Sequence, residues 1–119
     1  MKNSSARKGT LAFTEEDRQK IAALKEAAER QVSLDGRPLD VHRSTLCGFA
    51  VAFIMNVDLE DGSAQHQLHI MGKEGQPPLD AVQAMAVPFF GDKTYQIMPD
   101  ERNPWRVKVT GLFFSYPVE

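Results

Sequence analysis

The sequence predicts an α+β fold: an antiparallel sheet of four to five strands with two helices packed on one face, in the order α-β-β-α-β-β. Three observations lead there. A capped helical pattern opens at Thr14, a long β-hairpin runs through Gly48–Gly72, and Trp105–Thr110 alternates with a period of two. With 119 residues, 42% hydrophobic and 25% charged, the chain has enough apolar material for one core. Residues 1–10 read as a flexible basic arm carrying Lys2, Arg7 and Lys8, and residues 11–119 as a single α+β domain.

Thr14 precedes Glu15, Glu16 and Asp17, a good N-cap followed by acids where the helix dipole favours them. Ile21, Leu24, Ala28 and Val32 then form one apolar stripe. The helix is expected to stop near Ser33, and Asp35-Gly36 to turn the chain. Arg37 to Leu46 is ambiguous; Val41–Thr45 reads as a short edge strand or as loop. In the hairpin, Asp61-Gly62 is a two-residue type I′ signal. Centring the turn there pairs Leu59 with Ala64, Val57 with His66, Met55 with Leu68 and Phe53 with Ile70. Odd residues of the first strand, Phe49 to Leu59, then share the core face with Leu68 and Ile70. On the other face Ala50 and Ala52 are small enough to lie under a helix, and polar residues gather towards the turn.

Pro77-Pro78 fits the start of a second helix, with Leu79, Val82, Met85 and Ala86 on its apolar side and Pro88 ending it. Phe89 and Phe90 read as core plugs. Thr94–Met98 is a strand closed by Pro99. In the last strand Trp105, Val107 and Val109 face inwards, and Arg106, Lys108 and Thr110 outwards. Gly111 breaks this phase and predicts a bulge or bend before Leu112, Phe114 and Tyr116.

Between Pro78 and Pro99 the chain carries Asp80 and Gln83 on a short helix, Phe90-Gly91-Asp92, and a strand ending at proline. This stretch resembles small phage and prophage domains of unknown function, in which a strand hairpin also precedes the helix. Leu79 stands where those domains usually have tryptophan. The resemblance implies an origin in a mobile element and carries over no catalytic or binding residue.

Composition narrows the function. A net charge of −2 and a pI near 5.9 argue against a protein made mainly to coat nucleic acid. The longest apolar run, Gly48–Met55, is far too short to span a bilayer. The first residues, MKNSSARKGTLAF, have no apolar segment of the secretory kind, and the single Cys47 suits a reducing compartment. The expected location is the cytoplasm, with no membrane association.

His66 and His69 form an H-x-x-H, but strand alternation puts them on opposite faces, so no shared metal is expected. His69 and Asp58 lie on one face about 13 Å apart by strand rise, too far for a catalytic dyad. Cys47 lacks a nucleophile signature and reads as a small buried hydrophobe. No cofactor is implied, and the balance is against an enzyme. Two candidate surfaces remain. One is the polar sheet face of Asn56, Asp58, Gln65, Gln67 and His69, either plain solvent face or a groove that reads a ligand or partner through carboxamides. The other is the basic patch of Arg102, Arg106 and Lys108, either edge protection or a contact surface.

The leading expectation is a small non-enzymatic binding protein that contacts another protein, phage-encoded and directed at a host factor, with a defence-system inhibitor as one form. The alternatives are a small-molecule or nucleotide binder using the polar face, and a nucleic-acid binder using the basic residues. Phe113, Phe114 and Tyr116 also offer a final strand through which two copies could pair.

Overall fold

β2 (Phe49–Val57) and β3 (Ser63–Met71) form the predicted central hairpin, and the rest of the fold is laid against it. The computed structural model describes residues 12–115. The expected arm at 1–10 and Tyr116 lie outside the described residues. β1 (Arg43–Leu46), β5 (Arg106–Gly111) and β4 (Tyr95–Pro99) complete an antiparallel sheet in the order β1-β2-β3-β5-β4, and β6 (Phe114–Ser115) adds a short pairing to β3. α1 (Glu15–Arg30) and α2 (Leu79–Phe90) lie on the same face of the sheet. This is the predicted α+β architecture. None of the described helices is long and apolar enough to cross a membrane.

The core follows from the periodicities. Ile21, Leu24 and Ala28 of α1 and Val82, Met85, Ala86, Phe89 and Phe90 of α2 close over the inward residues of the sheet. Those residues are Val51 and Phe53 of β2, Leu68 and Ile70 of β3, and Val107 and Val109 of β5. Each large side chain removed from water contributes about 1.5–3 kcal/mol. Thr14 caps α1 through a reciprocal pair. Its hydroxyl accepts from the Asp17 amide at 3.0 Å, and the Asp17 carboxylate accepts from the Thr14 amide at 3.0 Å.

α1 ends at Arg30, before the expected Ser33, because β2 takes the backbone of Ser33. The Ser33 amide donates to the Met55 carbonyl and the Val57 amide to the Ser33 carbonyl, both at 2.8 Å. From there residues 33–39 pass onto the sheet face that no helix covers, where the Gly36 amide donates to Asn56 Oδ1 at 2.8 Å. A single 3-10 turn, Asp40–His42, leads into β1. The buried His42 ring holds this passage: Nδ1 accepts from the Leu39 amide at 3.0 Å, and Nε2 donates to the Gln31 carbonyl at 2.8 Å. The ambiguous stretch therefore resolves as a covering loop and an edge strand.

The hairpin register differs from expectation by two residues. Val57 pairs with Ala64, Met55 with His66, Phe53 with Leu68 and Ala52 with His69. A type I′ turn needs positive φ at both central residues, and here only Gly62 has it (φ 73°) while Asp61 does not. The chain instead turns over Asp58–Gly62, closed by the Gly62 amide on the Asp58 carbonyl and the Asp58 amide on the Ser63 carbonyl. Leu59 is thus exposed in the loop, not in the core. Because the shift is even, the residues that stay within β2 and β3 keep their faces. The positive-φ pair that joins two strands is Cys47-Gly48 (φ 51° and 83°), between β1 and β2.

Three smaller differences have local causes. Pro88 lies inside α2, which gains one more turn closed by the Gly91 amide on the Val87 carbonyl. Gly111 does precede a bulge: three steps along β3, from Gln67 to Ala64, face four from Thr110 to Phe114. Trp105, expected inside, is 45% exposed because β5 begins only at Arg106 and the indole stands at the sheet margin.

Two substitutions test this framework. A Cβ at Gly72 would overlap the Gly75 carbonyl oxygen, so Gly72→Ala should lower unfolding stability by at least about 2 kcal/mol in urea titrations. His42→Ala leaves the Leu39 amide and the Gln31 carbonyl without their partner and should cost about 2–4 kcal/mol by the same measurement.

Candidate functional site

The helices cover one face of the sheet and leave the other to side chains. Pairing across β1, β2, β3, β5 and β4 sets Arg43, Ala52, His69, Lys108 and Met98 in one transverse row. Thr45, Ala50, Met71 and Arg106 form the next. Strands stand about 4.8 Å apart, so a lone methyl at Ala52 or Ala50 between longer neighbours leaves a depression. No helix lies over these alanines, against expectation; Pro38 of the covering loop borders them instead. The depression is a cleft of about 180 Å³ whose walls include Pro38, Arg43, His69, Met71 and Arg106. A wider cleft of about 420 Å³ lies on the other side of His69, among Met98, Asp100, Arg102, Arg106 and Lys108.

The expected polar row is only partly assembled. Gln65, Gln67 and His69 do form a line along β3: Gln67 Nε2 donates to Gln65 Oε1 at 3.0 Å, and His69 Nε2 lies 3.3 Å from Gln67 Oε1. An amide oxygen only accepts, so this contact assigns the proton of the neutral ring to Nε2 and leaves Nδ1 as an acceptor. Gln67 and His69 are buried, and His69 Nδ1 has no hydrogen-bond partner. Asn56 shares the face, with its carboxamide oxygen already spent on the Gly36 amide. Asp58 is displaced by the register correction. It is exposed in the hairpin loop, where its carboxylate accepts from the Glu60 amide at 2.9 Å. Neither Gln65 nor Gln67 lines either cleft.

The basic patch is partly neutralised. Arg106 Nε donates to Asp100 Oδ2 at 2.7 Å, and both side chains are largely sheltered. The Arg102 amide and the Arg106 side chain together hold the Asp100 carboxyl below the usual carboxylate range. Arg102 itself is exposed on the loop before β5, and Lys108 sits directly across from His69. Burial pushes the His69 pKa down to about 4, assisted by the charges of Arg106 and Lys108 and opposed by Asp100. His69 is therefore neutral at pH 7.

His66 projects from the helix face, as alternation requires, and its ring stacks on Phe53 at 5.4 Å between centroids. Burial lowers its pKa too. Cys47 is half-buried, and burial together with the neighbouring Asp17 raises its thiol, the opposite of what a nucleophile needs. Among the described residues no group of three or more His, Cys, Asp or Glu side chains is placed to hold a metal ion.

The two sequence patches thus meet on one face through the β3–β5 pairing. Arg43, Asp100 and the alanine floor belong to the same site and were not anticipated. Small residues alternating on the outer side of β2 were the available signal for the cleft. Arg43 could not be aimed while β1 was unassigned. Comparison with protein-family models, with curated proteins and with solved structures gives no match.

The buried neutral His69 makes stability depend on pH. Its folded pKa lies below the unfolded value of 6.5, so its contribution is complete above pH 6.5 and is lost as pH falls towards 4. His66 acts in the same direction. Unfolding free energies from urea titrations at pH 7 and pH 4.5 should differ by on the order of 2–3 kcal/mol. The difference should shrink in His69→Gln.

Proposed function

We propose that this protein works by binding another protein through its open sheet face, as a non-enzymatic factor of mobile-element origin acting on a host component in the cytoplasm. The observation that carries the reading is the joining, on the one face that no helix covers, of the polar line from β3 with the cations of β5 and β1. The wider cleft is lined by both Asp100 and Glu101 and by Arg102, Arg106 and Lys108. Mixed charge of this kind suits a protein surface, whereas a phosphate backbone favours one sign. Met98, 42% exposed next to Lys108 in the pairing, adds an apolar contact of the sort enriched at interfaces.

The likeness of residues 78–99 to phage domains supports a host factor as the partner, and inhibition of a host defence system is one form the contact can take. Those residues build α2 and β4, with α2 packed behind the sheet. α2 bears on origin alone, while β4 also brings Met98 to the open face.

The test is capture from bacterial lysate on immobilised protein, with wild type and Lys108→Glu compared side by side. A partner retained by the wild type and reduced at least about tenfold by the charge reversal is the expected result. No captured partner, or equal capture by both proteins, contradicts the proposal.

A further inference from the structure

The smaller cleft, between β1 and β3, has its own chemistry. Its floor is the methyl groups of Ala50 and Ala52, two guanidiniums border it, and no carboxylate is among its lining residues. Among the described residues each guanidinium makes one side-chain hydrogen bond. Arg43 Nη2 donates to the Pro38 carbonyl at 3.2 Å, and Arg106 Nε donates to Asp100 at 2.7 Å. The described hydrogen bonds leave the remaining N–H groups of both to an incoming anion, and guanidinium matches carboxylate geometry well.

His69 adds the opposite polarity. It is nine-tenths buried and lines the cleft. With its Nε2 hydrogen given to Gln67, Nδ1 presents a lone pair. Among the described residues that atom is the one buried side-chain nitrogen or oxygen without a hydrogen-bond partner. Leaving such an acceptor unpaired is costly, so a donor arriving there gains more than an ordinary surface contact. An occupant that satisfies the whole cleft has anionic oxygens for the arginines, a donor for Nδ1, and a small apolar group for the alanine floor.

We propose that this cleft binds a carboxylate that carries an N–H donor on the adjacent carbon and a small apolar side chain. That grouping occurs at the C-terminus of a peptide chain and in free N-acylated amino acids. The carboxylate lies between Arg43 and Arg106, and the apolar side chain rests over Ala50 and Ala52. The N–H reaches Nδ1, now shielded from solvent, by a small turn of the imidazole. A volume of about 180 Å³ limits the buried part to roughly one residue. Inorganic phosphate meets the arginines alone and leaves the floor uncovered. The proposal stands on the cleft itself and does not depend on the wider face meeting a protein.

The experiment is a titration of the full-length isotope-labelled protein, followed by NMR at the His69 ring nitrogens and the Arg43 side chain. The probes are N-acetyl-leucine, its C-terminal amide, and the ester analogue in which oxygen replaces the N–H. N-acetyl-leucine should give a saturable shift of His69 Nδ1. The amide should bind at least about tenfold more weakly, and the ester several-fold more weakly. Arg43→Gln should weaken binding about fivefold or more, as should Ala50→Leu, which fills the floor from an exposed position; backbone spectra elsewhere should stay unchanged. A hexapeptide ending in leucine separates the sources: tighter binding than N-acetyl-leucine assigns a chain terminus, and equal or weaker binding assigns a free acylated amino acid. The absence of a saturable shift at His69 with any carboxylate probe overturns the proposal, and so does equal binding of acid and amide. Neither result bears on lysate capture through Lys108.

Discussion

β3 is hydrogen-bonded along both edges, to β2 on one side and to β5 and β6 on the other, and its alternation divides the molecule. Ala64, His66, Leu68 and Ile70 turn towards the helices, while Gln65, Gln67, His69 and Met71 turn away. Slipping this strand by one residue would bring Gln67 and His69 into the hydrophobic core and expel Leu68 and Ile70. The large burial penalty of that exchange fixes the strand, and the strand fixes the site. Helix packing on one face and the polar surface on the other are two results of a single constraint.

The open face acquires shape through side-chain size. Across one transverse row the chain places arginine, alanine, histidine, lysine and methionine, and the alanine is the low point. The loop over residues 33–39 walls one side of that low point and is itself held by Ser33 on β2, Gly36 on Asn56 and the two hydrogen bonds of the His42 ring. Asn56, a candidate for recognising a ligand, thus supports the wall of a site from behind. His69 has the more exacting position. Burial and the nearby cations Arg106, Lys108 and Arg43 keep its ring neutral, with an unpartnered Nδ1 on a side chain that lines the same cleft as two arginines.

Where local chemistry decides, the sequence was legible. The Thr14 cap, the apolar stripe of α1, the inward set of the hairpin and the phase break at Gly111 all follow from spacing and residue type. Asp61-Gly62 misled because the same dipeptide also closes a longer loop, in which only glycine needs positive φ. The true positive-φ pair, Cys47-Gly48, carries a residue that turn preferences do not favour. The site was half legible for a related reason. Alternation separates faces within one strand and says nothing about which strands are neighbours. Only the β3–β5 pairing puts His69 beside Lys108, and only β1 brings Arg43 to the far side of Ala52. Residues 78–99, read from the sequence as phage-like, build α2, which packs behind the sheet, and β4, which carries Met98 onto the open face.

Because the site is a product of register, the most direct measurement is of register itself, through cross-strand NMR contacts between backbone protons in solution. Val57 should show contacts to Ala64, Ala52 to His69, and His69 to Lys108. Contacts of Leu59 with Ala64 and of Ile54 with His69 would contradict the account. They would set His69 two residues out of line with Ala52 and Arg43 and dissolve the cleft.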